Sequence, residues 1–176
     1  MLCGLLLCVI IIGCKQTHCP AFPKAIADTY FPYSENSVLN YSNINGDTLI
    51  LKIDVYSLTG SHSYKWNCDC DCEAGAAFRT KREITSLMMN GNIILYDNGA
   101  FLMIGIHDDV SYDQNFYFTI DEINPYRSEN VRLFGDTINL MKEDNQRFTG
   151  IQLIAEKGIT RFFDKEQDCE WVLVEK

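Results

Sequence analysis

The run Cys68-Asp69-Cys70-Asp71-Cys72-Glu73 is the densest group of chemically capable side chains in this sequence. On a β-strand, residues two apart share a face, so the run would place its thiols on one side and its carboxylates on the other. Thiolates select Cu(I) or zinc, and His62 is close enough in the sequence to supply a fourth ligand. The run is therefore a candidate copper or zinc site made by Cys68, Cys70, Cys72 and His62, but its C-x-C spacing differs from the paired C-x₂-C of a zinc ribbon. Disulfide formation is the more ordinary interpretation of these cysteines.

A second pattern lies at the N-terminus, where residues 2–12 are uncharged and mostly apolar and the tetrad Ile11-Ile12-Gly13-Cys14 ends the run. The run is too short to cross a bilayer, which needs about 20 apolar residues. Its length and the small Gly13 are typical of a signal peptide. The tetrad resembles a bacterial lipobox, which implies that residues 1–13 are removed and that Cys14 carries acyl chains such as palmitate. By the same resemblance, Lys15 favours an outer-membrane destination.

The remaining cysteines can also form disulfides. Outside the cytoplasm thiols tend to oxidise, and after removal of the signal peptide and lipidation of Cys14 an odd number of candidates is left. Two bridges and one spare thiol would result, and the connectivity stays open. Cys169 and Cys19 are the natural partners for the central cysteines. The candidates are Cys19, Cys68, Cys70, Cys72 and Cys169.

Charge and motifs exclude several classes of function. The formal net charge is -9, which argues against nucleic acid as a partner because phosphate binding needs a basic patch. No nucleophile elbow, zinc-protease motif or phosphate-binding loop occurs. We interpret His107 beside Asp108 as an exposed loop pair rather than a catalytic dyad. The sequence therefore predicts a protein that is not an enzyme and that requires no cofactor.

Short apolar segments separated by turn residues predict an all-β domain over residues 38–176, preceded by a lipidated tether over residues 14–37. Asn45-Gly46 predicts a hairpin, and alternation from Leu49 to Val55 predicts a strand with one buried face. We also expect turns at residues 59–61, 90–91, 97–99 and 135–136, a strand at 130–134 and a short helix near residues 24–28. The pattern predicts an antiparallel meander of about eight to ten strands that forms a barrel or a sandwich.

Several short motifs together resemble small lipoproteins of Bacteroidota. The likeness rests on the lipobox, Cys19-Pro20-x-Phe22-Pro23, Asn45-Gly46-Asp47, Lys157-Gly158-Ile159-x-x-Phe162-x-Asp164 and Trp171-x-Leu173. It implies an all-β envelope lipoprotein and implies no activity. The clustered cysteines at 68, 70 and 72 depart from that group.

Three functions follow as expectations. The first is a non-catalytic binding or structural module, held at the outer membrane through lipid on Cys14, whose partner is an envelope protein or a glycan. The second is a copper- or zinc-handling envelope protein that uses the cysteine cluster. The third is a small barrel that holds an apolar ligand in its interior, as barrels of about eight strands can.

Overall fold

The computed structural model describes residues 20–64, 70–81, 87–108, 114–142 and 147–174. Within these residues, ten antiparallel strands form one sheet, and one α-helix precedes them. The prediction of an all-β antiparallel meander is confirmed. The elements are α1 (Lys24–Tyr30), β1 (Val38–Ser42), β2 (Thr48–Tyr64), β3 (Cys70–Lys81), β4 (Met88–Tyr96), β5 (Gly99–His107), β6 (Gln114–Asp121), a 3₁₀ helix (Ser128–Arg132), β7 (Thr137–Met141), β8 (Phe148–Ile154), β9 (Gly158–Asp164) and β10 (Cys169–Leu173).

The sheet is a nearly closed barrel rather than a sandwich. The strand order is β6-β5-β4-β3-β2-β1-β10-β9-β8-β7, so the first strand pairs with the last and joins two meanders. β6 and β7 are the two edges of the sheet, and they approach each other across a seam without forming a ladder. Polar contacts across this seam, described below, hold the two edges together.

The predicted Asn45-Gly46 hairpin is present between β1 and β2. Gly46 has φ +83°, a conformation that favours glycine. The Asn43 side-chain oxygen accepts hydrogen bonds from the backbone N–H groups of Asn45 at 3.0 Å and Asp47 at 2.9 Å. Alternation in β2 then directs Leu49, Leu51 and Ile53 to the interior, as predicted. The prediction is wrong for Val55, which is exposed because the β2–β3 register shifts between Ile53 and Val55. The turn at residues 97–99 and the short helix before the sheet are also confirmed.

Three of the predicted local structures are wrong. Residues 59–61 lie within β2, where Thr59 pairs with Gly75, so β2 and β3 form a longer hairpin than the sequence indicates. Asn90-Gly91 lies within β4. Gly91 is required there for packing rather than for a turn, because a Cβ would collide with the Phe78 ring and lie 2.8 Å from Phe31 Cζ. The predicted strand at residues 130–134 is largely a 3₁₀ helix.

The N-terminal segment fills the interior of the barrel. α1 begins after Pro23, whose φ of -66° suits the start of a helix. One face of α1, together with Phe31 and Tyr33, is buried among the inward side chains of the strands. The Phe31 ring packs edge-on against Phe78 with a centroid distance of 4.8 Å. The buried aromatic and apolar residues of this segment are Phe22, Ile26, Ala27, Tyr30, Phe31 and Tyr33.

Buried tyrosine hydroxyls connect this core to the backbone of the barrel. The Tyr30 hydroxyl donates to the Gly135 carbonyl at 3.0 Å and accepts from the Phe134 N–H at 2.7 Å. The Tyr33 hydroxyl accepts from the Ile159 N–H at 2.8 Å. Burial raises the pKa of Tyr30 to about 12 and raises the pKa of Tyr33 further. Each hydroxyl therefore provides a hydrogen-bond partner for a backbone group that is buried away from water.

Candidate functional site

The outer surface of β7 to β10 carries a shallow groove. Strand register places Gly150 on β8 between Met141 on β7 and Phe163 on β9. Met141 is 73% exposed, and its Sδ lies 3.0 Å from the position that a Cβ on Gly150 would occupy. The groove has a volume of about 480 Å³, within the range of about 300–1,000 Å³ typical of small-molecule sites. Its floor and walls therefore combine a bare backbone with two apolar side chains.

Four polar side chains form a hydrogen-bonded row along this groove. Gln152 is central: its Nε2 donates to Asn139 Oδ1 at 3.0 Å, and its Oε1 accepts from Arg161 Nε at 2.9 Å. Arg161 Nη1 lies 3.5 Å from Glu170 Oε1. We call the apolar floor and this row together the β7–β10 groove, which consists of Asn139, Met141, Gly150, Gln152, Arg161, Phe163 and Glu170.

The charges of the groove are open to water. The side chains of Arg161 and Glu170 are 47% and 46% exposed, and an ion pair of this kind contributes only about 0–1 kcal/mol to stability. These groups can exchange their mutual contact for a ligand at low cost. Amide, guanidinium and carboxylate groups offer both donors and acceptors, while Phe163 and Met141 offer apolar contact. This combination suits a ligand that carries hydroxyl groups on one side and C–H groups on the other.

A second polar cluster lies on the outer face of β4 to β6. Register aligns Asn90, Gly105 and Asn115 across the three strands. His107 Nε2 is hydrogen-bonded to Asn90 Oδ1 at 2.9 Å, and a Cβ on Gly105 would lie 2.6 Å from that nitrogen and 2.7 Å from Asn115 Oδ1. Because these side chains fill the space above Gly105, the cluster has no cleft comparable to the β7–β10 groove.

The interpretation of His107 and Asp108 as an exposed pair is wrong, because both residues are buried. Each side chain has a partner that covers it: the His107 imidazole, at the end of β5, contacts Asn90, and Asp108 Oδ2, which follows β5, accepts from Arg147 Nη1 at 2.6 Å. Arg147 also forms hydrogen bonds to both carboxylate oxygens of Asp164, which is fully buried. These hydrogen bonds, to Asp164 first and then to Asp108, hold the pKa of Arg147 above its usual range.

This buried charge cluster closes the seam of the barrel. Arg147 precedes β8, whereas Asp108 follows β5, so their ion pair connects the two sides of the seam. Beside it, the Phe148 N–H donates to Gln114 Oε1 on β6 at 2.8 Å. The sequence gives no local signal for these contacts, because the partners are 34 and 39 positions apart. We assign the cluster to closure of the fold.

The predicted cysteine site lies partly within the described residues. Cys14, Cys19 and Cys68 lie outside them. Register pairs His62 on β2 with Cys72 on β3 and Tyr64 with Cys70. The structure thus brings the backbone of His62 next to that of the cysteine pair, as the metal hypothesis requires. Among the described residues whose side chains are placed, no three His, Cys, Asp or Glu side chains converge as metal ligands.

Cys169 is a buried free thiol at the start of β10. Asn43 Nδ2, in the β1–β2 turn, is 3.7 Å from its Sγ. β2 begins at Thr48, directly after this turn. His62, the partner of Cys72, lies fourteen residues further along β2, which corresponds to roughly 45 Å of strand. A disulfide needs Cα atoms within about 7 Å. The fold therefore separates Cys169 from Cys70 and Cys72, and disulfide formation by the other candidates stays a prediction.

No family model, no curated protein and no solved structure matches this chain. The resemblance to Bacteroidota lipoproteins therefore stays a prediction, and the site has to be argued from its own geometry. In the part of the chain that the structure describes, no helix has the length and apolar character needed to cross a bilayer.

Proposed function

We propose that this protein is a lipid-anchored, non-catalytic binding module of the outer membrane, and that the β7–β10 groove is its binding surface. The observation that carries the proposal is the groove itself, which places a hydrogen-bonded polar row beside an apolar floor on the exposed wall of the barrel. A carbohydrate is the ligand class that fits best. The hydroxyl groups of a pyranose would contact the polar row, and its C–H face would contact Phe163 and Met141.

The interior of the barrel supports the choice of an outer surface. The side chains of α1 and of Phe31 and Tyr33 occupy the space in which an apolar ligand would lie. Binding there would require these side chains to leave the core. The hypothesis of an apolar ligand in the interior stays a prediction with this added condition.

Titration with soluble oligosaccharides tests the binding surface. We expect the mature chain carrying Cys14→Ser to bind chitotetraose or maltotetraose, with heat of binding measured by calorimetry. Gln152→Ala removes the centre of the polar row and should weaken binding at least tenfold. Thr119→Ala, on the exposed face of β6, is the matched control and should leave affinity unchanged. Absence of binding to both sugars, or equal loss in both variants, would refute the assignment, and hydrolysis of a sugar would refute its non-catalytic part.

Intact mass spectrometry tests the anchor. The membrane-extracted protein should begin at Cys14 and carry acyl chains, and Cys14→Ser should release it from the membrane fraction. Each buried methylene contributes about 0.8 kcal/mol to anchoring, so several acyl chains hold firmly. An unmodified protein that begins at Met1 would contradict the proposal.

A metal-handling role is the second candidate, and the pairing of His62 with Cys72 favours it. Thiolate and imidazole donors on neighbouring strands suit Cu(I) or zinc. Elemental analysis of protein that is purified anaerobically under reducing conditions tests this role. We expect stoichiometric copper or zinc that is lost in Cys70→Ser/Cys72→Ser and retained in Cys169→Ser. Metal-free protein with native disulfides at these cysteines would exclude the role.

A further inference from the structure

The β2–β3 hairpin projects beyond one end of the barrel. β1 begins at Val38, which pairs with Lys52, whereas β2 continues to Tyr64. β4 pairs with β3 only as far as the row of Ala74 with Leu95. Among the described residues, β2 and β3 beyond that row pair only with each other, to the row of Tyr64 with Cys70. We call the segments 57–64 and 70–77 the projecting hairpin; they comprise the rows that extend beyond β4 and the four rows at their base in which β3 still pairs with β4.

The N-terminal chain reaches the domain beside this hairpin. A Cβ on Gly60 would lie 3.9 Å from the Ala21 Cα, so residue 21 runs against β2 within the projecting hairpin. Phe22, the next residue, is buried in the core. The chain therefore enters the domain at the hairpin end of the barrel, through Ala21 and Phe22.

The length of the tether limits where the anchor can lie. Cys14 and Ala21 are seven positions apart, and seven residue steps span at most about 25 Å when fully extended. The opposite end of the barrel is farther away. Thr48, beside the β1–β2 turn, is twelve residues from Gly60 along β2, which corresponds to about 40 Å of strand. A lipid on Cys14 can therefore lie near the hairpin end and cannot reach the β1–β2 turn.

We propose that the barrel stands on the bilayer with the projecting hairpin towards the lipid and the β1–β2 turn away from it. The partner of the hairpin end is the lipid surface itself. This inference rests on the proposed lipidation of Cys14. In this orientation the β7–β10 groove lies on the wall of the barrel, where a polymer of the envelope can reach it.

Depth-dependent fluorescence quenching tests the orientation. A fluorescent amino acid is inserted genetically at Thr59 in the hairpin, at Thr119 on the wall or at Ile44 in the β1–β2 turn, all of which are exposed. Each acylated protein is reconstituted into phosphatidylethanolamine–phosphatidylglycerol vesicles that carry a headgroup nitroxide. We expect quenching to be several-fold stronger at Thr59 than at Ile44, with Thr119 between them. Equal quenching at the three positions, or stronger quenching at Ile44, would overturn the orientation.

Controls separate the orientation from the anchor. Leu58 provides a second hairpin position if the Thr59 variant does not fold. The Cys14→Ser form of each variant should show no quenching, since it lacks the acyl chains. If intact mass shows acyl chains and quenching is strongest at Ile44, only the orientation fails. If intact mass shows no acyl chains, the proposed anchor fails and the orientation fails with it.

Discussion

The inside and the outside of this barrel use polar side chains in different ways. Inside, the hydroxyls of Tyr30 and Tyr33 bond to backbone groups, and Arg147 pairs with a fully buried carboxylate. In the β7–β10 groove, the main polar contacts join partly exposed side chains to one another, as between Arg161 and Glu170. Loss of an interior contact leaves a buried polar group unpaired, whereas loss of a groove contact exposes it to water. The interior contacts therefore serve the fold, and the groove contacts are free to serve a ligand.

Replacement of one arginine by methionine in each region should give the largest difference in stability between the interior and the groove. Arg147→Met leaves the buried Asp164 without its partner, and we expect it to lower the free energy of unfolding by about 3–5 kcal/mol. Arg161→Met breaks an exposed pair and should cost less than about 1 kcal/mol. Urea denaturation measures both. Equal losses in the two variants would contradict the comparison. Arg147→Met/Asp164→Asn should recover part of the stability, because the second change removes the unpaired charge.

The same substitution at two glycines should give the next largest difference. Gly91→Ala places a methyl group against the rings of Phe78 and Phe31 in the core, and overpacking of this kind costs about 1–3 kcal/mol. Gly150→Ala meets the flexible end of Met141 instead, so its cost should stay below about 1 kcal/mol. Thermal unfolding of both variants checks the prediction, which a tolerated Gly91→Ala would refute.

Alkaline pH should lower the stability of the folded protein through the buried Tyr30. The pKa of Tyr30 in the folded protein is about 12, above the value of about 10 in an unfolded chain. Because its pKa is raised in the folded state, Tyr30 makes its full contribution to stability below pH 10, and this contribution is lost as the pH rises towards 12. One such tyrosine gives a slope of about 1.4 kcal/mol per pH unit. Tyr30→Phe should flatten the decline in denaturant experiments, and an unchanged slope would show that Tyr30 does not contribute.

The smallest effect on stability should come from the centre of the groove. Gln152→Ala removes the hydrogen bonds to Asn139 and Arg161, all in partly or fully exposed positions. Surface changes of this kind usually lie within about 0.5 kcal/mol. Differential scanning calorimetry should therefore find Gln152→Ala close to the parent protein. A loss as large as that of Gly91→Ala would mean that the polar row serves the fold instead of a ligand.

Local sequence patterns predicted strands but could not predict contacts between residues that are distant in the chain. The alternation from Leu49 to Val55 and the Asn45-Gly46 turn identified β2 and its hairpin, because both signals act within a few residues. Asn90-Gly91 does not form the predicted turn, because glycine permits close packing as well as turns, and only the position of Phe78 distinguishes the two roles.

The candidate site was harder to predict than the fold. Register across three strands aligns Asn139, Gln152 and Arg161, and a single sequence does not reveal such register. The cysteine cluster, by contrast, is conspicuous in the sequence, and the structure supports only the pairing of its backbone with that of His62. Arg147 gave no signal, since its partners are distant in the chain.

Chemical-shift mapping of the ¹⁵N-labelled Cys14→Ser chain during titration with chitotetraose or maltotetraose tests the central claim most directly. If the outer wall binds the ligand, the amide signals of Gly150, Gln152 and Arg161 should shift in a saturable way, while those of Phe31 and Tyr33 in the core should stay unchanged. Shifts concentrated at Phe31 and Tyr33, or no saturable shift at the groove residues with either sugar, would contradict the assignment of the β7–β10 groove as the binding surface.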